Sequence, residues 1–370
     1  MSNSSNSDRL DFIRLARTDG IGAVTFRKLI ARFGTPTAAL EFLEKERKQP
    51  AFPVAKAEKE LEKAAKIGAT AIFAGTPEYP DMLAQIPDRP PVIYILGDPE
   101  TLHVKTVALV GSRNASINAR NFAHSLARGL VDRGYVVASG MAIGIDAAAH
   151  EGALVSIRQG QKTVAVLAGG VDVIYPPSNR TIYEKIIEKG SIVSEMPPGT
   201  EPQAAFFPRR NRIVSGLSLG VVVVEAGIRS GSLITAKFAA AQGREVFAVP
   251  NFPLDPRSLG ANSLIKEGAT LTDSVDDITD VLDGLRHDFS PREPTMEFKV
   301  CEDSPNSFGD VPAPDTRAAL LSLLGANPTS LNEIIRALPD VPRQSINTTL
   351  LELELDDKID YTAGGVVAKL

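Results

Sequence analysis

The sequence predicts an α/β protein with a doubly wound parallel sheet at its core. Five short apolar runs lie between residues 106 and 250: Thr106–Val110, Tyr135–Ala138, Thr163–Leu167, Val221–Val224 and Glu245–Val249. These runs are too short for helices and apolar on both faces, as are the strands of a buried parallel sheet. Segments of helical length alternate with them, and most of the runs end in a glycine-containing turn. This alternation predicts right-handed crossovers, with the turns at the carboxyl edge where ligands bind.

Length and composition limit the possible classes of protein. The chain has 370 residues and a formal net charge of −5, which predicts two or three domains and excludes a globally basic nucleic-acid binder. A local basic cleft remains compatible with this charge. Because no apolar stretch is long enough to span a membrane and Cys301 is the single cysteine, we expect a cytoplasmic protein without membrane insertion. The four histidines and this cysteine lack zinc spacing, so we expect neither metal nor cofactor.

The first 70 residues read as a polar tail followed by helices. Residues 1–7 are predicted to be a disordered tail, and residues 8–70 a small helical domain. Within that domain Thr18–Gly34, with glycines at 20 and 22, resembles a helix-hairpin-helix element. The second helix of such an element presents its N-terminal amides to a phosphate. A small helical interaction domain with a tight turn is the alternative.

The predicted sheet domain covers residues 71–285. Its proline-rich beginning includes Val92–Leu96, which we expect to join the sheet from its edge. The segments Ile117–Asp132 and Leu233–Gln242 have helical length and good helix formers, and Val275–Leu285 is the predicted last helix. Residues 286–314 hold five prolines and few apolar positions, so they are predicted to be a flexible linker that contains Cys301.

Residues 315–370 predict a third, winged-helix-like domain. Asp315 is the expected cap of a helix to Leu324, and further amphipathic stretches cover Ser330–Leu338 and Arg343–Leu355. The remainder, Lys358–Leu370, has glycines 364 and 365 at its centre and predicts a β-hairpin. Eight acidic and five basic residues give this segment a net charge of −3, which disfavours phosphate contact. The sequence therefore favours contact with protein over reading of DNA.

Several familiar motifs are absent or out of place. Gly111–Ser116 has one glycine where a dinucleotide fingerprint needs three, and no P-loop follows a strand. The letters of Gly216–Gly220 match a nucleophile elbow, but the predicted helix precedes the serine and the strand follows it, which reverses the required order. Asp146 and His150, four residues apart, either form an acid–base pair or share a hydrogen bond on a helix surface, and the second is the simpler interpretation.

Arginines and small polar residues gather in the turns that follow the predicted strands. Ser230–Ser232 opens a helix, whose dipole would favour an anion at the same edge. Arginine forks, hydroxyl groups and helix amides together are typical of phosphate recognition. Because several turns contribute, an extended polyanion fits this edge better than a mononucleotide. The arginines are at positions 113, 180, 209, 210, 212 and 229, and the uncharged donors are Ser112, Ser139, Asn179, Asn211, Ser230 and Ser232.

At these residues the chain closely resembles the DNA-processing protein DprA (Smf) family. The matching stretches occur in the family's order and cover essentially the whole predicted sheet domain. They are Gly111–Arg113, Ser139–His150, Gly170–Asn179, Ser194–Glu195, Phe207–Ile213 and Glu225–Ala236, with Tyr79–Leu83 and Pro90–Tyr94 before them.

The resemblance implies an extended Rossmann-like fold, flanked by a SAM or helix-hairpin-helix-like domain and a winged-helix-like domain. It also implies a homodimer formed through the α/β domain that binds single-stranded DNA without hydrolysing it. Such a protein protects incoming DNA and loads the recombinase RecA in natural transformation. The candidate DNA-binding residues are Gly111, Ser112, Arg113, Ser139, Gly140, Asn179, Arg180, Arg210, Asn211, Arg212, Ser230 and Gly231. The family places a lysine just after the position of Asn179, so either Arg180 or Lys185 takes its place here.

Two rival functions remain at this stage. One is a nucleotide-binding or nucleotide-cleaving enzyme of the lysine-decarboxylase-like (phosphoribohydrolase) type, whose turn Pro-Gly-Gly-x-Gly-Thr-x-x-Glu carries a catalytic glutamate. The comparable turn here, Glu225–Ser232, lacks a glutamate after its glycines, so we expect a binding protein and not an enzyme. The other is a structural adaptor that uses residues 315–370 as its contact surface.

Overall fold

A computed structural model describes residues 6–160, 162–284, 314–324, 329–339, 341, 346, 350, 353, 359–362 and 366–369. The chain forms two compact units, Met1–Pro291 and Arg292–Leu370. The predicted linker with Cys301, and most of the predicted Arg343–Leu355 helix, lie outside the described residues.

Four helices open the first unit, and buried apolar side chains such as Leu15, Phe26 and Leu40 lie between the first three. The Thr35 side chain caps the third helix by accepting from the Ala38 amide at 3.2 Å. The first helix begins at Asn6, inside the predicted tail of residues 1–7. The helices are α1 (Asn6–Arg17), α2 (Ala23–Phe33), α3 (Pro36–Lys45) and α4 (Val54–Lys66).

A nine-stranded sheet forms the core of this unit. Its order is β1-β2-β6-β5-β4-β3-β7-β8-β9. In this spatial order, the seven strands from β6 to β9 run parallel to one another. The antiparallel strands β1 and β2 extend one edge, so the predicted Val92–Leu96 strand is present but is not outermost. The strands are β1 (Thr70–Phe73), β2 (Val92–Gly97), β3 (Thr106–Val110), β4 (Val136–Ser139), β5 (Thr163–Val166), β6 (Gly190–Ser194), β7 (Gly220–Val223), β8 (Glu245–Ala248) and β9 (Thr270–Leu271).

Helices cover both faces of the sheet, as the continuous apolar strands predict. Val107 and Leu109 of β3 pack in a cluster with residues of α6, α7 and α12, whereas Ala108 and Val110 face a cluster that includes α9 and α10. Because successive side chains alternate between faces, one strand serves both layers. These helices are α5 (Asp81–Ala84), α6 (Ile117–Asp132), α7 (Ile145–Leu154), α8 (Arg180–Lys189), α9 (Phe206–Gly216), α10 (Ser232–Ala241), α11 (Leu259–Lys266) and α12 (Asp276–Gly284).

The second unit has helices and a small antiparallel sheet of order β10-β12-β11. Ser330 caps α14 through a capping box with Glu333, as the predicted start at Ser330 requires. The first helix begins at Pro314, so Asp315 lies inside it and is not its cap. The predicted hairpin is present as β11 and β12, although its glycines lie outside the described residues. The elements are α13 (Pro314–Leu323), β10 (Thr329–Ser330), α14 (Leu331–Ala337), β11 (Ile359–Thr362) and β12 (Val366–Lys369).

Candidate nucleic-acid interface

A cleft lies where the connections of the sheet change direction. From β3 the chain proceeds to β4 on one side, and the later strands β7 and β8 lie on the other side of β3. Ligands of doubly wound sheets bind at this kind of switch point, outside the carboxyl ends of the strands. The cavity there has a volume of about 510 Å³. We call it the switch-point cleft, and its lining includes Gly111–Asn114, Asp146, the start of α9, and Ser230–Ser232 with the first turn of α10.

The turn after β3 brings Arg113 to the mouth of this cleft. A Cβ at Gly111 would approach Ile145 to 2.5 Å, so this tight passage of the backbone requires glycine. The Ser112 amide donates to the Glu225 carbonyl oxygen at 2.7 Å, which ties the turns after β3 and β7 together. The exposed Arg113 guanidinium lies over the Phe207 ring, 5.2 Å from its centre. A half-buried aromatic ring and an exposed cation therefore lie together at the cleft, as in surfaces that stack nucleobases.

Arg210 lies at the floor of the cleft and is only 6% exposed. Its guanidinium packs against Gly140, where a Cβ would overlap the Nη1 atom. Burial lowers the pKa of Arg210, and the charge of Asp146 opposes that shift. Burial likewise raises the pKa of Asp146, although Arg210 and the amides of Gly140 and Ala142 favour its charged form.

The predicted pairing of Asp146 with His150 on a helix surface was wrong, since both side chains are buried. Asp146 accepts from the amides of Gly140 and Ala142 at 3.1 and 3.3 Å. His150 instead places its Nδ1 atom 2.7 Å from the Thr163 hydroxyl oxygen. Burial first, and then the charge of Arg210, lower the pKa of His150 to about 3. His150 is therefore a neutral core residue under ordinary conditions.

The other residues of α9 divide between two faces. Arg212 is 5% exposed and forms ion pairs with the carboxylate of Glu195 and, at 3.5 Å, with that of Asp88. The guanidinium of Arg212, which we expected to face DNA, is thus held inside the protein. Arg209 is exposed, and its Nε atom lies 3.6 Å from Glu195. Asn211 donates through Nδ2 to the Gly231 carbonyl oxygen at 3.3 Å, which joins α9 to the start of α10.

Ser230–Ser232 opens α10 as the sequence predicts. The Oγ atoms of Ser230 and Ser232 lie 2.6 Å apart, and a Cβ at Gly231 would meet no atom within 4 Å. The start of α10 lines the cleft, so the dipole of this helix adds partial positive charge there.

Ser139, Asn179 and Arg180 lie elsewhere along the same edge. The Ser139 hydroxyl, which we expected to face a ligand, is buried and donates to the Leu109 carbonyl oxygen at 2.6 Å. Asn179 is 5% exposed and donates through Nδ2 to the Met141 carbonyl oxygen at 2.8 Å. Arg180 is exposed, and its Nη1 atom lies 3.9 Å from the Oε1 atom of Glu184. A separate cavity of about 970 Å³ between α6, α7 and α8 is lined by Asn179 and Lys185.

Two residues that support the interface were not predicted to do so. Glu195 holds Arg212 and approaches Arg209, while its carbonyl oxygen accepts from Arg17 of α1 at 3.1 Å. Asp146 anchors the turn that packs against Arg210. The signal for both was an acid beside the glycine turns, since buried arginines need a counter-charge.

Neither a metal centre nor a membrane span is evident in the described part of the chain. Across these residues, histidine, cysteine, aspartate and glutamate side chains form no group of three that could hold a metal ion. None of the helices described here is long and apolar enough to cross a membrane.

Comparison with known sequences identifies all three parts of the chain. Residues 70–283 match the family model of DNA recombination-mediator protein A. Residues 6–63 match the DprA-like N-terminal HHH domain, and residues 306–365 match the DprA winged helix domain. These matches confirm the predicted fold class, including the helical domain and the winged helix.

Curated relatives carry the names of the same family. Protein Smf of Escherichia coli (strain K12) is 38% identical over 290 residues, which cover 78% of this chain and 74% of that protein. DNA processing protein DprA of Streptococcus pneumoniae is 42% identical over 200 residues, 54% of this chain and 70% of the relative. Protein Smf of Synechocystis is 42% identical over 197 residues, 52% of this chain, and the match spans about half (49%) of that relative.

Solved structures of two relatives share the fold. The X-ray structure of DNA processing protein A from Streptococcus pneumoniae aligns with a TM-score of 0.63 and 32% identity, over 73% of this chain and 97% of that one. A structure of DNA processing protein A from Helicobacter pylori, described by its single-stranded DNA binding mode, aligns with a TM-score of 0.51 and 29% identity, over 60% and 96%. From its sequence and its fold, the chain belongs to the DNA recombination-mediator protein A (DprA) family.

Proposed function

We propose that this protein binds single-stranded DNA along the carboxyl edge of its sheet and acts as a mediator of DNA recombination in the cytosol. The observation that carries the proposal is the exposed Arg113 guanidinium, which lies over the Phe207 ring, 5.2 Å from its centre, at the switch-point cleft. The Helicobacter pylori relative, whose structure concerns single-stranded DNA binding, supports the same assignment.

The proposed contacts follow from exposure. The strand would pass the cleft residues Gly111, Ser112, Arg113, Arg210, Asn211, Ser230 and Gly231. The exposed Arg209 and Arg229 add positive charge beside this path. Asn179 and Arg180 would lie further along the edge, with Lys185 as the base that lines the adjoining cavity. Arg212 and Ser139 would support the interface from inside without touching the strand.

A preference for single strands follows from Phe207. Its ring contacts Arg113 and lies 5.8 Å from the Tyr175 ring, so a base would have to leave its own stack to join this aromatic group. Bases of a duplex are stacked and paired, whereas those of a single strand are accessible. Contacts with phosphates and ring faces carry little sequence information, so we propose binding that is nearly indifferent to sequence.

We also propose that the protein forms a homodimer and loads a recombinase. Four apolar side chains near the ends of β7, β8 and β9 are strongly exposed: Ile228, Phe252, Leu254 and Leu271 are 69%, 64%, 82% and 48% exposed. Exposed apolar surface marks protein contacts, and we propose that these four side chains take part in the homodimer contact. We further propose that the dimer protects the bound strand and loads RecA on it. RecA filament formation on a strand covered by single-strand binding protein, with and without this protein, tests that step.

The buried carboxylate of Glu225 favours a binding function over nucleotide cleavage. Glu225 is fully buried, and its two oxygens accept from the Ser116 amide at 3.0 Å and the Ser116 hydroxyl at 2.7 Å. A carboxylate engaged in this way positions the helix start and has no free oxygen directed at a substrate. Incubation with a panel of nucleoside monophosphates should release no base, and release would favour the enzymatic alternative.

Fluorescence anisotropy with labelled oligonucleotides tests the proposed function. We expect the protein to bind single strands more tightly than a duplex of the same length. The affinity should fall steeply with salt, because bound phosphates release counterions. Equal binding of both forms, or no binding of single strands, would overturn the proposal.

A further inference from the structure

The floor of the switch-point cleft holds a buried cation that lacks a full set of partners. Arg210 is 94% buried, and its Nε atom has no hydrogen-bond partner among the residues that the structure describes. The carboxylate of Asp146, its nearest counter-charge, already accepts from two backbone amides. A buried charge with incomplete partners costs free energy, and an anion in the cleft would offset that cost.

The start of α10 faces the same space. This helix has ten residues, and the hydroxyls of Ser230 and Ser232 stand at its first turn. Its dipole adds a partial positive charge to the cation of Arg210. Arg210 and the helix start both line one cavity of about 510 Å³, a volume in the range of small-ligand sites. The charge and the volume of this cavity therefore suit one compact anion that carries a group of nucleotide size.

The cleft is closed behind Arg210. Gly140 of the turn after β4 contacts the guanidinium, and the fully buried His150 lies on the same α7 helix as Asp146. A phosphodiester within a strand carries a sugar on each side, which hinders its approach to a guanidinium that is only 6% exposed. A phosphomonoester has one ester bond and about −1.5 to −2 charges near neutral pH, so it fits both the depth and the charge.

We propose that the floor of the switch-point cleft, formed by Arg210 and the start of α10, binds the phosphomonoester of a nucleotide, and that its source is the terminal phosphate of a DNA strand. This inference deepens the proposed function and depends on it. The first base would then lie near Phe207 and Arg113 at the mouth of the cleft. Strand ends would be held in preference to internal segments.

Short oligothymidylates distinguish an end from an internal segment, because ends make up more of a short strand. Anisotropy should be measured with oligomers of about six nucleotides that carry a 5′-phosphate, a 3′-phosphate or no terminal phosphate, labelled at the opposite end. We expect one of the phosphorylated forms to bind about tenfold more tightly than the unphosphorylated form, the effect of one charge-assisted contact. Free thymidine monophosphate and inorganic phosphate serve as competitors.

Three variants test whether Arg210 is responsible. Arg210→Gln should remove the tenfold ratio between phosphorylated and unphosphorylated strands. Gly140→Ala keeps the arginine but displaces its guanidinium, so it should reduce the same ratio even if Arg210→Gln fails to fold. Arg209→Gln is the matched control, because this neighbour on α9 is exposed and does not line the cleft; it should lower all affinities together and keep the ratio.

The outcomes separate this inference from the proposed function. A terminal-phosphate preference that is lost in Arg210→Gln or in Gly140→Ala supports it with the strand end as the source. Displacement by thymidine monophosphate without an end preference supports the phosphomonoester site and overturns the strand end as its source. Equal binding of all three oligomers without competition overturns the site while single-strand binding stands. Failure to bind any single strand overturns the proposed function itself.

Discussion

Replacing Glu195 with alanine would remove the nearest carboxylate from the buried guanidinium of Arg212. Both residues are at least nine-tenths buried, and Arg212 is left with Asp88 at 3.5 Å. Breaking a buried ion pair typically costs 3–5 kcal/mol. Because the side chain of Asp88 is one-third exposed and remains as a partial partner, we expect a loss of about 2–3 kcal/mol in the free energy of unfolding.

Thermal and urea unfolding of the full chain measure this effect. A loss of this size lowers the melting temperature of a large domain by roughly 5 °C. Arg209→Ala is the control, since its exposed guanidinium lies 3.6 Å from the same carboxylate and a surface pair contributes less than about 1 kcal/mol. Adding Arg212→Met to Glu195→Ala should recover part of the loss, because the buried charge disappears. A change below about 0.5 kcal/mol in Glu195→Ala would refute the account of how α9 is held.

The remaining predictions concern three other places in the chain. The pKa of His150 is lowered to about 3 in the folded chain, whereas the unfolded chain takes up a proton on this histidine near pH 6.5. The contribution of His150 to the free energy of unfolding is therefore fully present above pH 6.5 and is lost as the pH falls below it. Between pH 7 and pH 5 we expect the free energy of unfolding, measured by urea titration, to fall by about 2 kcal/mol, and to fall markedly less in His150→Gln. Equal losses in the two proteins would contradict this prediction. Ser330→Ala should destabilise the second unit by about 1 kcal/mol by removing the capping box with Glu333, measured by its helical circular dichroism on heating, and an unchanged transition would show that the cap has no effect. Leu254→Asp should shift the mass in light scattering from dimer to monomer, and a persistent dimer would move the interface elsewhere.

The sequence predicted those strands of the sheet that are buried on both faces. Thr106–Val110 and Val221–Val224 are continuous apolar runs, and both are central strands in the structure. The strand β6 was not predicted because Gly190, Ser191 and Ser194 resemble a loop. In the structure the Ser194 hydroxyl is satisfied by the Gly169 carbonyl oxygen at 2.6 Å. Such a partner comes from another segment, so local pattern does not reveal it.

The sequence indicated the turns that line the cleft but not the placement of their side chains. The sequence treats Arg210 and Arg212 alike, because both follow the same proline and lie beside an asparagine. Two residues along a helix differ by about 200°, so the two arginines point to opposite faces. One lines the cleft, and the other pairs with Glu195, seventeen residues earlier. The fold decides which arginine lines the cleft, and it does so through a contact between distant segments.

The salt dependence of single-strand binding by Arg113→Ala shows whether DNA passes the switch-point cleft. Arg128→Ala is the matched control, because that arginine is exposed on α6 and pairs with Asp132. We expect Arg113→Ala to weaken binding and to reduce the slope of log affinity against log salt by about one, with Arg128→Ala close to the unmodified protein. Unchanged affinity and slope in Arg113→Ala would contradict the placement of DNA at the switch-point cleft.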